Sequence, residues 1–126
     1  MELGRLLLAD KSALERATPA TLDLGEICIC AVVRLEMLYS ARSTDEYQQI
    51  EEDLAAFREL RMDAETIATA VTAHRELGSQ GRHRVSIPDL LIAACAQQHQ
   101  ADVLHIDRHY DTIATVLTFR PVRLAV

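Results

Sequence analysis

Short unbroken apolar runs alternate along the chain with longer segments of helical spacing. Leu6-Leu7-Leu8-Ala9 is the first run, and Asp10 ends it. A few apolar residues with no polar alternation are the pattern of a strand buried on both faces. Lys11 to Ala17 predicts a short helix, halted at Thr18-Pro19. A second β-branched run covers residues 26–32, and 32–42, VVRLEMLYSAR, has helical composition. Residues 44–57 carry Tyr47, Ile50, Leu54 and Phe57 on one helical face. Residues 59–62 predict a short strand. In 63–81, Asp63 is the expected N-cap of a helix with Ile67, Ala70, Val71 and His74 on one side. After a loop at 82–86 comes the strongly apolar helix 87–100, with Pro88 in its first turn. Strand 102–106, helix 108–117 and strand 122–126 complete the series. This order predicts an α/β fold: a single domain over residues 1–126, with a short parallel sheet and helices on both faces.

Composition narrows the setting. The chain has 126 residues, 49% of them hydrophobic, and no apolar run near the roughly 20 residues of a membrane helix. No signal-peptide pattern opens it, so a cytoplasmic protein with no membrane partner is expected. Cys28, Cys30 and Cys95 include no CxxC pair, and buried free thiols are the expectation. The net charge of −6 argues against a broad basic face for duplex binding. It is compatible with a nucleic-acid site built around a cation, because the ion reverses the local field.

Four acids stand where such an ion would need them. Asp10 and Asp107 each follow a strand, and in open α/β sheets ligands bind beyond the carboxyl ends of the strands. Glu36 lies in a helix apolar nearly all round, where an unpaired carboxylate would be costly to bury. Asp89 begins a second apolar helix, a position equally suited to complementing the helix dipole. Clustered carboxylates without cysteine point to Mg²⁺ or Mn²⁺, and such a site can hold a phosphodiester for hydrolysis. No dinucleotide or P-loop glycine motif is present.

These residues resemble the PIN-domain ribonucleases, and specifically the VapC toxins of bacterial toxin–antitoxin pairs. LLLADKSAL is similar to the family's opening strand, aspartate and following hydroxyl residue; VVRLEMLYSAR to the segment with its glutamate. SIPDLLIAACAQQHQADVLHIDRHYDTIA resembles its most characteristic stretch, with one aspartate at a helix start and another after the next strand. The resemblance spans roughly residues 5–126. It implies a Mg²⁺- or Mn²⁺-dependent endoribonuclease, commonly acting on tRNA or rRNA. It implies Asp10, Glu36, Asp89 and Asp107 as catalytic metal-site residues, with Ser12 in support. It also implies a homodimer and a cognate VapB-type antitoxin. One position departs: many relatives carry a second acid two residues after the one matching Asp107, and here that residue is His109. Imidazole suits Mn²⁺ better than Mg²⁺ and adds no negative charge, so His109 is expected to support the site or to lie at its edge.

Other features are secondary. Arg82 and Arg84, just before the Asp89 helix, are candidate RNA contacts. His74, His99 and His105 are expected to be structural, and Tyr39 and Tyr47 to pack in the core or at an interface. Two alternatives remain. One is a catalytically degenerate PIN-like binding module. The other is a receiver-type signalling domain, which needs a lysine after a late strand, whereas Lys11 is the only lysine.

Overall fold

The computed structural model describes residues 4–107 and 109–124. Five parallel strands form one sheet: β1 (Gly4–Leu8), β2 (Gly25–Cys30), β3 (Arg58–Leu60), β4 (Ala101–His105) and β5 (Pro121–Arg123). Their order is β3-β2-β1-β4-β5. The chain steps outward from β1 to β2 and β3, then crosses back to β4 on the other side of β1. Right-handed crossovers therefore put the helices of the two halves on opposite faces. The order reverses between β1 and β4, where Leu7 faces Val103 and Leu8 faces Leu104 in register. A receiver domain reverses elsewhere, in the order 2-1-3-4-5. Lys11 pairs with Glu15 one turn away at 3.9 Å.

The central strands are as apolar as a doubly covered sheet requires. Leu6, Leu7, Leu8, Cys28, Ile29, Cys30, Val103 and Leu104 are buried, and the three cysteines are free thiols. Each buried leucine or isoleucine contributes roughly 1.5–3 kcal/mol by leaving water.

Among the described residues seven helices connect the strands: α1 (Lys11–Arg16), α2 (Pro19–Leu22), α3 (Ala31–Tyr39), α4 (Thr44–Leu54), α5 (Ala64–Ser79), α6 (Ile87–Gln98) and α7 (His109–Ile113). The sequence pattern did not predict α2. Pro19 was expected to stop a helix, yet it occupies the first turn of a new one, with the Thr18 hydroxyl accepting from the Thr21 amide. Asp63 caps α5 as expected, accepting from the Glu65 and Thr66 amides in a capping box with Thr66. Gln98 on α6 donates to Asp63 Oδ1 at 2.9 Å and also meets the Thr66 hydroxyl, which ties α5 to α6. Gln100, at φ 55°, turns the chain out of α6 in a left-handed conformation.

One expected face was misassigned, and another holds at Ile50, Leu54 and Phe57 but not at Tyr47. On α5 the buried side is Thr66, Ala70, Ala73 and Leu77, while Ile67 and Val71 stay exposed. On α4, Leu54 is buried and Phe57, in the following turn, packs against the core, but Tyr47 is exposed. The last predicted strand is shorter than expected, and its Ala125 and Val126 lie outside the described residues, as does Arg108 at the start of the predicted helix 108–117. No helix among the described residues is long and apolar enough to cross a membrane.

Candidate functional site

The switch point between β1 and β4 gathers the acids. Asp10 follows β1 by two residues and caps α1, its Oδ1 accepting from the Ala13 amide at 2.8 Å. That cap engages one of its two carboxylate oxygens. Asp107 follows β4 by two residues. Its amide donates to Nδ1 of the buried His105 at 3.1 Å, and its Oδ1 accepts from the His109 amide at 2.9 Å. Both ends of Asp107 are therefore held by neighbours in sequence. His105 accepts at Nδ1, so its proton sits on Nε2, which has no partner among the described residues. Burial, the largest influence, keeps that imidazole below its usual pKa and hence neutral.

Asp89 is fixed from α7. Ser86 caps α6 through the Asp89 amide, which leaves the Asp89 carboxylate free to act outward. Tyr110 donates its hydroxyl to Asp89 Oδ1 at 2.9 Å, and His109 Nδ1 lies 3.4 Å from Oδ2. The Asp89 side chain is 18% exposed. Tyr110 is buried, packed on His105 with ring centres 4.9 Å apart. Burial first, and then the charge of Asp89, push its phenol well above the usual range, so it remains a donor.

Glu36 reaches the same end of the sheet from α3, which packs against α6. The premise that singled it out fails. Glu36 is exposed, and so are Leu35, at 69%, and Tyr39, at 91%. Only part of the apolar character of α3 is core: Val33, Met37 and Leu38 are buried, whereas Leu35 and Tyr39 form a bare surface. No ion pair among the described residues holds Glu36, because Arg34 binds Glu59 at 2.6 Å and Arg42 binds Glu46 at 3.6 Å. Its pKa is nonetheless raised, by partial desolvation first and then by the negative charges of Asp89 and Asp10. Three carboxylates therefore sense one another without a compensating cation, which is the condition a bound divalent ion relieves.

The tightest cluster differs from the expected four acids. Ligand atoms of Asp89, Asp107 and His109 all lie within 4.8 Å of one another. Asp10 and Glu36 stand farther out and add charge. Tyr110 was missed because its neighbours in sequence, His109 and Asp111, are polar and give no sign that its ring is buried with a hydroxyl in need of a partner. Ser12 is half-buried in the first turn of α1, and no hydrogen bond joins it to the acids among the described residues. Arg82 and Arg84 are exposed in the loop before α6, and neither pairs with an acid among the described residues. The site is an open end of the sheet. A cleft of about 420 Å³ lies elsewhere, between α3, α4 and β3, and is lined by Arg34, Leu38, Glu51, Leu54, Phe57 and Glu59 among others.

Known proteins resemble the chain in sequence and in fold. The family model described as PIN domain matches residues 5–116. The chain is 39% identical over 116 residues to Ribonuclease VapC17 of Mycobacterium tuberculosis, covering 86% of this chain and 87% of that protein. It is 39% identical over 100 residues to Ribonuclease VapC18 of the same organism, covering 77% and 73%. Among solved structures, VapBC-5 of the toxin–antitoxin family from M. tuberculosis superposes with a TM-score of 0.76 at 21% identity, covering 96% of this chain and 99% of that one. VapBC2 from Rickettsia felis, bound to a DNA fragment from its promoter, gives 0.76 at 16% identity with the same coverage.

Proposed function

The chain belongs to the PIN-domain family, and within it to the VapC ribonucleases, and we propose that it acts as the toxin of a toxin–antitoxin pair by hydrolysing RNA with a divalent metal ion. The convergence of Asp10, Glu36, Asp89 and Asp107 on the β1–β4 switch point carries this reading. Oxygen donors with no thiolate suit Mg²⁺ or Mn²⁺. The donor set fits such an ion: two strand-end aspartates and one helix-start aspartate stand at the same end of the sheet, and Glu36 is raised by partial desolvation first and then by the charges of Asp89 and Asp10, which a cation would offset.

When bound, the ion supplies Lewis-acid polarisation of a phosphate and a more acidic attacking water. The chain's own residues supply placement. Tyr110 holds Asp89 Oδ1, which leaves Oδ2 turned to His109. His105 holds the backbone of Asp107, and the turn into α7 holds its carboxylate. Glu36, least committed to other contacts, is the carboxylate that can accept a proton from water entering the site. Arg82 and Arg84 lie on the loop leading into α6, where guanidinium groups can grip RNA phosphates. The substrate class we assign is structured RNA, tRNA or rRNA, in the cytoplasm. The partners are a VapB-type antitoxin and a second copy of the chain.

The test is cleavage of structured RNA by purified protein. Cutting that needs Mg²⁺ or Mn²⁺ and disappears in Asp10→Asn and Asp89→Asn supports the assignment. Absence of cleavage with every divalent metal, together with unchanged growth inhibition by both variants, sinks it and favours the non-catalytic module.

A further inference from the structure

His109 occupies a position where the sequence alone left its role open. In the structure it belongs to the tightest cluster of ligand atoms in the site. Nδ1 of His109 stands 3.4 Å from Asp89 Oδ2, and the same residue's amide binds Asp107 Oδ1 at 2.9 Å. The imidazole is therefore anchored through its backbone to one acid and directed by its ring at the other. Tyr110, the next residue, occupies the opposite oxygen of Asp89. Oδ2 and Nδ1 are left facing each other.

The spacing is that of ligands around one ion. With metal–ligand distances of about 2.1 Å, adjacent donors lie roughly 3 Å apart and opposite ones roughly 4.2 Å apart. The Asp89–His109 separation of 3.4 Å falls within that range, and the trio, all within 4.8 Å, has little distance to close around an ion. A plain ion pair is the competing account. It explains one contact, with a histidine side chain 45% exposed, and does not explain why Asp107 completes a triangle.

We infer that His109 Nδ1, Asp89 Oδ2 and an Asp107 oxygen form a mixed imidazole–carboxylate cation site that favours Mn²⁺ and similar first-row ions over Mg²⁺. This rests on the reading of the acid cluster as a divalent-metal site, and it goes further by naming a nitrogen ligand and the selectivity that follows. Mg²⁺ is a hard ion that takes oxygen ligands and keeps its waters, whereas imidazole binds transition ions more strongly. A neutral ring in place of a carboxylate also removes one negative charge, which weakens a purely electrostatic hold on Mg²⁺.

Pulsed electron paramagnetic resonance on untagged, RNA-free protein loaded with Mn²⁺ tests this without relying on catalysis. The native chain should show nitrogen modulation from a directly bound imidazole, and histidine labelled with ¹⁵N should change its pattern. His109→Ala and His109→Gln should lose the modulation and bind Mn²⁺ at least about tenfold more weakly. His109→Asp should lose it while gaining Mg²⁺ affinity. Bound Mn²⁺ without nitrogen modulation, modulation that survives in both variants, or an unchanged Mn²⁺-to-Mg²⁺ preference in His109→Asp overturns the assignment and leaves the acid site standing. Failure of the native chain to bind Mn²⁺ at all overturns both.

Discussion

The Tyr110 hydroxyl donates to Asp89 Oδ1 at 2.9 Å and so fixes, from α7, a carboxylate that α6 carries. Tyr110→Phe keeps the buried ring and its packing on His105 and Phe119. Asp89 is partly exposed, so water can replace the lost donor, and the expected loss is about 1 kcal/mol in urea denaturation. Metal affinity should fall about tenfold, because the oxygen facing His109 is no longer held in place. Unchanged Mn²⁺ affinity in a folded Tyr110→Phe protein would mean that Asp89 needs no support from α7.

Gly25 and Gly78 should respond oppositely to alanine. Gly4 and Gly25 are register partners in β1 and β2, and a Cβ on Gly25 would lie 2.2 Å from the Gly4 carbonyl oxygen. That contact is with backbone and cannot be relieved by a rotamer. Gly25→Ala should therefore cost several kcal/mol or abolish folding. A Cβ on Gly78, inside α5, meets nothing closer than His83 Cβ at 3.7 Å. Gly78→Ala should stabilise by about 0.5–1 kcal/mol through helix propensity. Thermal melts of the two variants check the pair.

Asp63 gives stability with a defined acid limit. Its hydrogen bond from Gln98, first, and then the Thr66 amide and Arg61 pull its pKa to about 2. A carboxyl depressed in the folded state contributes fully above its unfolded pKa, near 4, and loses that contribution as pH falls toward 2. Asp63→Asn should thus be less stable than the native chain at pH 6, with the gap closing as pH drops through this window. A gap that stays constant with pH would show that the carboxylate charge contributes nothing.

Glu36 should show the opposite sign. Its folded pKa is raised, so the native state binds a proton more readily than the unfolded chain. In metal-free protein its ionisation costs stability, beginning as pH rises through the unfolded pKa near 4.3 and complete above the folded one. Because the side chain is exposed, solvent screening limits the effect to a few tenths of a kcal/mol. Glu36→Gln should be slightly more stable than the native chain at pH 7 without metal, and should lose that advantage when Mn²⁺ is added. Calorimetric melts with and without the ion measure both.

Chelation should stop RNA cleavage by the native chain, and Mn²⁺ should restore it more fully than Mg²⁺ at equal concentration. A time course of cleavage after dialysis checks this. Equal restoration by both ions would count against the nitrogen ligand.

The sheet was legible in the sequence because β1, β2 and β4 are covered on both faces and their apolar runs carry no competing period. Asp63 was legible as a cap for a local reason, its backbone amides lying within three residues. Glu36 was singled out through the wrong inference. An apolar helix reads the same whether its surface is buried or bare, and Leu35 and Tyr39 prove bare. α2 was hidden because Thr18-Pro19 ends one helix and begins another in the same two residues. The closeness of His109 to Asp89 was hidden for a different reason: twenty residues and a whole strand separate them, and only the turn after β4 folds one back onto the other.

The loop over residues 80–86, between α5 and α6, divides the molecule in an unequal but telling way. The piece before it holds β1, β2 and β3 with Asp10 and Glu36; the piece after it holds β4 and β5 with Asp89, Asp107 and His109. The two meet along the β1–β4 seam, in the middle of the sheet. A chain severed at that loop becomes two fragments, each with half of the acids, and neither is expected to cut alone. Expressed separately they should be harmless, and nuclease activity should become a readout of their reunion.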